Sequence, residues 1–147
     1  KGTGIMTTLK TVLDRKGHRV WSIGPDDSVL DAIRKMADKQ IGALLVMDGD
    51  ALVGIFTERD YARNVFLKGK SSPKTPVRDV MASPVIHARA DETVEDAMTV
   101  MTRKRVRHLP VFDDDEMIGM VSIGDLVKTV IEEQKHTIEQ LENYIRA

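Results

Sequence analysis

The chain has 147 residues and no cysteine, with 22 basic and 23 acidic side chains and a formal net charge of −1. This length corresponds to one domain or two very small ones, and a hydrophobic content of 41% is sufficient for a packed core. The lack of cysteine excludes disulfides, thiolate metal sites and a cysteine nucleophile, and the balanced charge offers no overall field that would attract nucleic acid or a membrane.

Targeting signals are not evident in the sequence. No run of residues reaches the ~18 apolar positions that a transmembrane helix needs, and no apolar stretch of the signal-peptide type follows the first residues. We therefore expect a cytoplasmic protein with no membrane partner. Residue 1 is lysine, and Met6 is one candidate for a native start.

An internal repeat organises the chain. When the sequence is shifted by 65 residues, positions 20–63 align with 85–128 without a gap, and more than a quarter of the 44 pairs are identical. Conservative pairs such as Ser28 with Thr93 and Thr57 with Ser122 extend the match. We interpret the pattern as the duplication of one unit.

The residue pattern of each copy predicts the same order of strands and helices. A short extended segment comes first, and a helix then opens with a capping-box pattern at Ser28 or Thr93. Two apolar runs joined by a short Asp/Gly turn indicate a hairpin, and a second helix begins near Thr57 or Ser122. The extended segments are 20–23 and 85–88, and the apolar runs are 43–47 with 52–56 and 109–112 with 117–121.

The predicted fold class is therefore α/β (α+β), built from two β-α-β-β-α repeats. One unit of about 44 residues is too small for an adequate core, so the repeats should pack across a pseudo-two-fold axis. We assign 8–67 to repeat one, 68–76 to a solvated linker, 77–130 to repeat two and 131–147 to a C-terminal helix extension. The extension carries apolar positions that pack either on a partner chain or on its own chain.

These motifs resemble a tandem pair of CBS domains, named after cystathionine β-synthase, over residues 8–130. The matching segments are the lead-in 77–81 and its weaker copy 9–13, the run 107–111, and the repeat endings 54–60 and 119–125. The resemblance implies a non-catalytic regulatory module that binds AMP, ADP, ATP, NAD(H) or S-adenosylmethionine in the cleft between the repeats. It also implies a homodimer that signals to a regulated partner protein.

The repeat endings carry the first candidate site residues. In Thr57-x-x-Asp60 and Ser122-x-x-Asp125, the hydroxyl and the carboxylate form a capping box in one interpretation. In the other, the helix N-terminus and the hydroxyl bind a phosphate, and the carboxylate accepts the ribose hydroxyls. The resemblance favours the second, because members of the family bind ribose and phosphate at these places.

The resemblance adds further ligand-binding candidates. Arg107 and His108 lie where the family places phosphate-contacting cations; the first repeat has Gly42 and Ala43 there, so the two sites should differ in charge and ligand. Pro110 should lie at an edge or bend that lines the adenine pocket. Arg59 is a further candidate, and it is either an exposed residue or a cation for the first site. The extended segments supply the remaining candidates, which are Trp21, Ser22, Ile86 and His87. Trp21 either covers the base or fills the core.

Other functions have weaker support in the residues. No nucleophile–base pair and no metal-ligand pattern is present, so we expect neither an enzyme nor a metal site. The basic run 103–108 and the lysine-containing linker are the only nucleic-acid signal, and they lack interleaved aromatic residues. A dimerisation or protein-interaction module with vestigial ligand clefts remains the alternative. His18 and His136 carry no functional signal.

Overall fold

The computed structural model describes residues 6–146. Its regular elements alternate helices and short strands, as the repeat predicts. They are α1 (Leu9–Lys16), β1 (Ser22–Ile23), α2 (Val29–Lys39), β2 (Ala43–Asp48), β3 (Ala51–Thr57), α3 (Glu58–Tyr61), β4 (Ala88–Arg89), α4 (Val94–Lys104), β5 (His108–Asp113), β6 (Glu116–Ser122) and α5 (Ile123–Arg146). A π-helical turn (Ala62–Phe66) follows α3, and a 3-10 turn (Val77–Asp79) precedes β4.

Each repeat forms a three-stranded sheet with the same topology. In the first sheet β1 runs parallel to the central strand β2, and β2 pairs antiparallel with β3. In the second sheet β4, β5 and β6 take the same places. The predicted β-α-β-β-α repeat and the mixed α/β class are therefore confirmed.

The helix caps follow the sequence signals. The Ser28 hydroxyl accepts from the Asp31 N–H at the start of α2, and Thr93 forms a full capping box with Asp96 at the start of α4. These side chains satisfy donors that a helix N-terminus leaves without intrahelical partners. Both helices end in a left-handed residue, Gln40 and Arg105.

Two predicted boundaries are wrong. The extended segments predicted at 20–23 and 85–88 form shorter and later strands, because parallel pairing begins only at Ser22 and at Ala88. The last helix begins at Ile123, next to Ser122 as predicted, and continues through the extension as one helix, of which residue 147 lies outside the described residues.

The chain divides into two compact units that differ from the sequence repeats. The first-repeat unit is Val20–Val85, and the second-repeat unit combines residues 6–19 with 86–146. Leu9 and Leu13 of α1 are fully buried in the core of the second-repeat unit. Val77 and Val80, which lead into the second repeat along the chain, are buried in the core of the first-repeat unit.

The linker 68–76 is accordingly part of the first-repeat unit. Most of its residues are exposed, but the carbonyl oxygens of Thr75 and Ser72 accept from the Val29 and Leu30 N–H groups at 2.9 and 3.0 Å. In the second-repeat unit, the Thr7 carbonyl oxygen accepts from the Val94 N–H at 2.9 Å. Each lead-in thus caps the first helix of the unit into which it packs.

Candidate functional site

The predicted site residues are divided between the two units. In each unit the Ser/Thr–Asp pair lies where the sheet's third strand ends and the next helix begins, beside the start of the central strand. The candidates of the extended segment lie at the first strand, which pairs with the other edge of the central strand. The first-repeat unit holds Trp21, Ser22, Thr57, Arg59 and Asp60, and the second-repeat unit holds Ile86, His87, Arg107, His108, Pro110, Ser122 and Asp125.

Thr57 and Asp60 form a complete capping box in the first-repeat unit. The Thr57 N–H and hydroxyl both donate to Asp60 Oδ2, at 2.9 and 3.0 Å, and the Asp60 N–H donates to Thr57 Oγ1 at 3.1 Å. The side chain of Asp60 is half-buried at the start of α3. Its capping interpretation is confirmed; a role in ligand binding stays a prediction.

Ser122 and Asp125 repeat the arrangement at the start of α5. The Ser122 N–H donates to Asp125 Oδ2 at 2.8 Å, and the Asp125 N–H donates to Ser122 Oγ at 3.1 Å. This site has an additional cation. Lys16 Nζ, at the end of α1, lies 2.6 Å from Asp125 Oδ2 and 3.0 Å from the Met120 carbonyl oxygen.

The two aspartates consequently differ in their electrostatics. Burial raises the pKa of Asp60 above its ordinary value, and the Thr57 hydrogen bonds and the charges of Arg59 and Arg63 only partly offset it. Burial also acts to raise the pKa of Asp125, but the hydrogen bonds from Lys16 and Ser122 outweigh it and leave the pKa lowered. The ionised form of Asp125 is therefore stabilised relative to that of Asp60.

Arg107 and His108 lie beside Ser122, as the repeat alignment implies. His108 pairs with Ser122 across β5 and β6, and the Ile123 N–H donates to the Arg107 carbonyl at 2.8 Å. Arg107 is exposed and supplies the charge. Burial, followed by the nearby charge of Lys16, lowers the pKa of His108, so this ring is a neutral hydrogen-bonding group near pH 7 rather than a second cation.

Ala43 and Gly42 hold the corresponding places in the first-repeat unit. Ala43 pairs with Thr57, and the Glu58 N–H donates to the Gly42 carbonyl at 3.1 Å. The backbone is therefore the same in both units, while the side chains beside the hydroxyl differ. This geometry agrees with the expectation that the two sites differ in charge.

Pro110 lies in the central strand of the second sheet. It is buried inside β5, opposite Met120 of β6, where the sequence predicted an edge or a bend of the strand. The strand tolerates proline because pairing with β4 begins one residue later, between Ala88 and Val111. In the first-repeat unit, Leu45 fills this place and its N–H donates to the Trp21 carbonyl at 3.1 Å. Proline has no N–H, so the equivalent bond to the Ile86 carbonyl cannot form.

The extended segment of the first-repeat unit is covered by lysines. Lys35 Nζ donates to the Ser22 carbonyl oxygen, and Lys39 Nζ lies 4.4 Å from the Trp21 ring centroid, within cation–π range. Trp21 is partly buried against the core of its unit, in agreement with the core-filling interpretation. In the second-repeat unit, Ile86 packs partly buried against the core and His87 is exposed, with its ring edge-on to Phe112 at 5.1 Å.

Sequence reasoning missed Lys16 and His18. Lys16 bonds to the candidate ribose acceptor, and His18 bonds to the Ile118 carbonyl oxygen and to Asp14 at 2.7 and 2.8 Å. The repeat could not reveal Lys16, because the equivalent position in the second lead-in is Pro84. Only the exchange of lead-ins between units brings Lys16 to Asp125.

Residues 6–146 contain neither a metal-binding cluster nor a membrane-spanning helix. No group of three or more His, Cys, Asp or Glu side chains in that range is arranged to hold a metal ion. Along the same part of the chain, no helix combines the length and apolarity that crossing a membrane requires.

Comparison with known proteins gives a consistent result. The family model described as CBS domain matches twice, at residues 7–66 and 77–132. CBS domain-containing protein CBSX3, a mitochondrial protein of Arabidopsis thaliana, is 40% identical over 95% of this chain and 72% of its own length. A crystal structure of a CBS-domain protein is 52% identical, with a TM-score of 0.82, covering 86% of this chain and 99% of the other. A candidate signal-transduction protein with CBS domains from Burkholderia ambifaria is 46% identical, with a TM-score of 0.84, covering 87% of this chain and 96% of the other.

Proposed function

The chain belongs to the CBS-domain family, and from that premise we propose that it is a non-catalytic regulatory module that binds an adenosine-containing ligand and signals its presence to a partner protein. AMP, ADP, ATP and NAD(H) are the ligands to test first. The cytoplasm is the proposed compartment. A homodimer is the proposed assembly, and nucleic acid and membranes are not among the proposed partners.

The second-repeat unit is the better candidate for the principal site. The observation that carries this choice is Pro110, because it leaves the Ile86 carbonyl without the strand partner that Trp21 has in the other unit. A carbonyl in this position can accept from the amino group of adenine. The extended backbone around Ile86 and His87 would then read the edge of the base, as the family resemblance implies.

We propose that residues of the same unit bind the ribose and the phosphate of the ligand. The carboxylate of Asp125, whose pKa is lowered, can accept two hydroxyl groups. The Ser122 hydroxyl accepts from the Asp125 N–H and can still donate to a phosphate oxygen at the N-terminus of α5. Arg107 supplies an exposed positive charge beside it, and the neutral ring of His108 supplies a hydrogen-bonding group.

Lys16 gives this site a further property. Its ammonium group holds Asp125 at 2.6 Å, so a ribose must share the carboxylate with Lys16 or displace it. A displaced Lys16 could turn towards a phosphate group of the ligand. The first-repeat unit has no described equivalent, and its Asp60 has a raised pKa, so we propose a weaker or different ligand there.

The alternative is a dimerisation or protein-interaction module with vestigial ligand clefts. The observation in its favour is that the capping boxes account for Asp60 and Asp125 without any ligand. The motifs of the two repeats offer no nucleophile–base pair in support of an enzymatic role.

The experiment is thermal unfolding of the protein with AMP, ADP, ATP, NAD⁺, NADH, S-adenosylmethionine and GTP, followed by calorimetric titration of any compound that raises the midpoint. A ligand that binds only the folded state stabilises it by mass action. Asp125→Asn should weaken binding by about 1–3 kcal/mol, or roughly five- to 150-fold, which is the scale of charged hydrogen bonds.

Asp60→Asn is the matched control, because it removes a carboxylate from the same capping position in the other unit. Equal affinities in wild type and Asp125→Asn would remove Asp125 from the site. If no compound raises the midpoint at millimolar concentration, the interaction module becomes the better assignment.

A further inference from the structure

The C-terminal half of α5 is an exposed helical arm. The helix is anchored in the second-repeat unit by Leu126 and Thr129, which are buried, and by Val130, which packs against the core. Every residue from 134 to 146 is exposed. The sequence alternative in which the extension packs on its own chain is therefore wrong for its apolar side chains, Ile138, Leu141, Tyr144 and Ile145.

The residues along one side of α5 follow a heptad repeat. The positions 127, 131, 134, 138, 141 and 145 are spaced by alternating steps of four and three, which is the a/d pattern of a coiled coil, and all of them except Gln134 are apolar. Ile131, Ile138 and Ile145 take the a positions, and Val127, Gln134 and Leu141 take the d positions. Their exposure rises from 40% at Val127 and 47% at Ile131 to 55% at Ile138, 58% at Leu141 and 80% at Ile145.

The opposite side of α5 is polar. The b, c and f positions of the same heptads are Glu132, Glu133, His136, Glu139, Gln140 and Asn143. A narrow apolar stripe on an otherwise polar helix is typical of a coiled-coil seam and not of a helix that packs on a broad protein surface. The partner that fits such a seam is another helix with the same spacing, and this chain contains one.

The charges beside the seam favour a second copy in the antiparallel orientation. The e positions are Lys128, Lys135 and Glu142, whereas the g positions are Val130, Thr137 and Tyr144. In parallel pairs e faces g, so neither Lys135 nor Glu142 would meet an opposite charge. In antiparallel pairs e faces e. When residues 134–145 of two arms overlap over their full length, Lys135 of each copy comes opposite Glu142 of the other.

We propose that the seam of α5 docks antiparallel against the same seam of a second copy of this chain. In this register Ile138 packs against Leu141 of the other copy, and Gln134 packs against Ile145. The folded unit already nucleates the helix, so pairing does not have to meet the nucleation cost that limits isolated helices of this length. The proposal does not rest on the proposed ligand-binding function.

The first test is the mass of the whole protein in solution as a function of concentration, by sedimentation equilibrium. Ile138→Glu places a charge in the seam and should shift the dissociation of the dimer at least tenfold to higher concentration. Asn143→Glu, five residues along and on the polar side, is the matched control and should leave the mass unchanged. Thermal midpoints close to wild type for both variants show that they fold, as expected for exposed positions.

Orientation is tested by disulfide trapping, which is clean because the chain has no cysteine of its own. Ile138→Cys and Leu141→Cys are purified separately, mixed and oxidised. The antiparallel seam predicts cross-links mainly between the two variants, since 138 faces 141. A monomer at all concentrations, a mass unaffected by Ile138→Glu, or cross-links mainly between identical variants would overturn the proposal.

Discussion

At the scale of single residues, the two aspartates of the repeat show how one motif acquires two electrostatic states. Asp60 and Asp125 occupy equivalent capping positions and are both partly buried. The pKa of Asp60 is raised and that of Asp125 is lowered. The principal difference is Lys16, because its ammonium group bonds to Asp125 only.

Replacing Lys16 with methionine should therefore raise the pKa of Asp125. In wild type the folded-state pKa lies below the ordinary value of 3.8, so this carboxylate stabilises the fold above that pH and the contribution is lost as the pH falls through the lowered pKa. Lys16→Met should reduce that acid-side loss of stability. Carboxyl carbon NMR titration of Asp125 measures the pKa, with Lys10→Met as the control cation on the same helix; an unchanged Asp125 pKa in Lys16→Met would contradict the assignment.

His18 gives a second prediction, on the alkaline side. Nδ1 lies 2.7 Å from the Ile118 carbonyl oxygen and Nε2 lies 2.8 Å from Asp14 Oδ1, so only the doubly protonated ring donates to both. The hydrogen bond with Asp14, followed by that with Ile118, raises the pKa of His18 above 6.5. This stabilisation is fully present below the unfolded-state pKa and is lost as the pH rises through the raised folded-state pKa.

The measurement is the free energy of unfolding by urea between pH 5.5 and 8.5. Wild type should lose more stability over this range than His18→Gln. His136→Gln, on the exposed arm, serves as the control. Identical pH profiles for wild type and His18→Gln would show that protonation of the His18 ring does not stabilise the fold.

At the scale of elements, two equivalent glycines explain how each lead-in fits its sheet. A Cβ atom on Gly119 of β6 would lie 2.8 Å from Cδ2 of Leu13 in α1. A Cβ atom on Gly54 of β3 would lie 2.3 Å from Sδ of Met81. Leu13 and Met81 are equivalent in the two lead-ins. Both strands thus need glycine because a lead-in side chain occupies the space of a Cβ.

Gly119→Ala should destabilise the protein by about 1–3 kcal/mol, since Leu13 is fully buried and cannot move aside freely. The free energy of unfolding by denaturant measures the change. In a Leu13→Ala background the same substitution should cost less, which a double-mutant cycle detects as coupling. Gly124→Ala, whose Cβ would meet only Ser122 Oγ at 3.6 Å, should cost nothing; an equal loss in both glycine variants would refute the steric explanation.

At the scale of the whole molecule, the lead-ins are exchanged between the sequence repeats. Residues 6–19 precede the first repeat in the chain but fold with the second, and Val77 and Val80 fold with the first. The unit that a substitution destabilises should therefore be the one in which the residue is buried, and not the repeat that follows it in sequence.

Amide hydrogen exchange of the intact protein tests whether each lead-in stabilises the unit in which it is buried. Leu13→Ala, a truncation that typically costs about 2–5 kcal/mol in a core, should speed exchange in α4, β5 and β6 more than in α2, β2 and β3. Val77→Ala should have the opposite distribution, with the first-repeat unit affected more. The reverse pattern for both variants would mean that the sequence repeats, and not the compact units, are the cooperative units.

Features that depend on near neighbours along the chain were predictable from the amino-acid sequence. The offset of 65 residues identified the repeat, and the caps at Ser28 and Thr93 followed from partners three residues away. The hairpins followed from apolar runs around short turns, as the pairing of β2 with β3 and of β5 with β6 confirms.

The tertiary structure alone decided which distant groups meet. Lys16 and Asp125 are 109 residues apart, and neither composition nor periodicity relates them. The effect of Pro110 on Ile86 depends on which strand lies beside β5, and the exposure of Ile138 depends on where the unit's surface ends. Such contacts are set by packing between elements. The environment of each side chain then depends on distant parts of the chain, which its neighbours in the sequence do not specify.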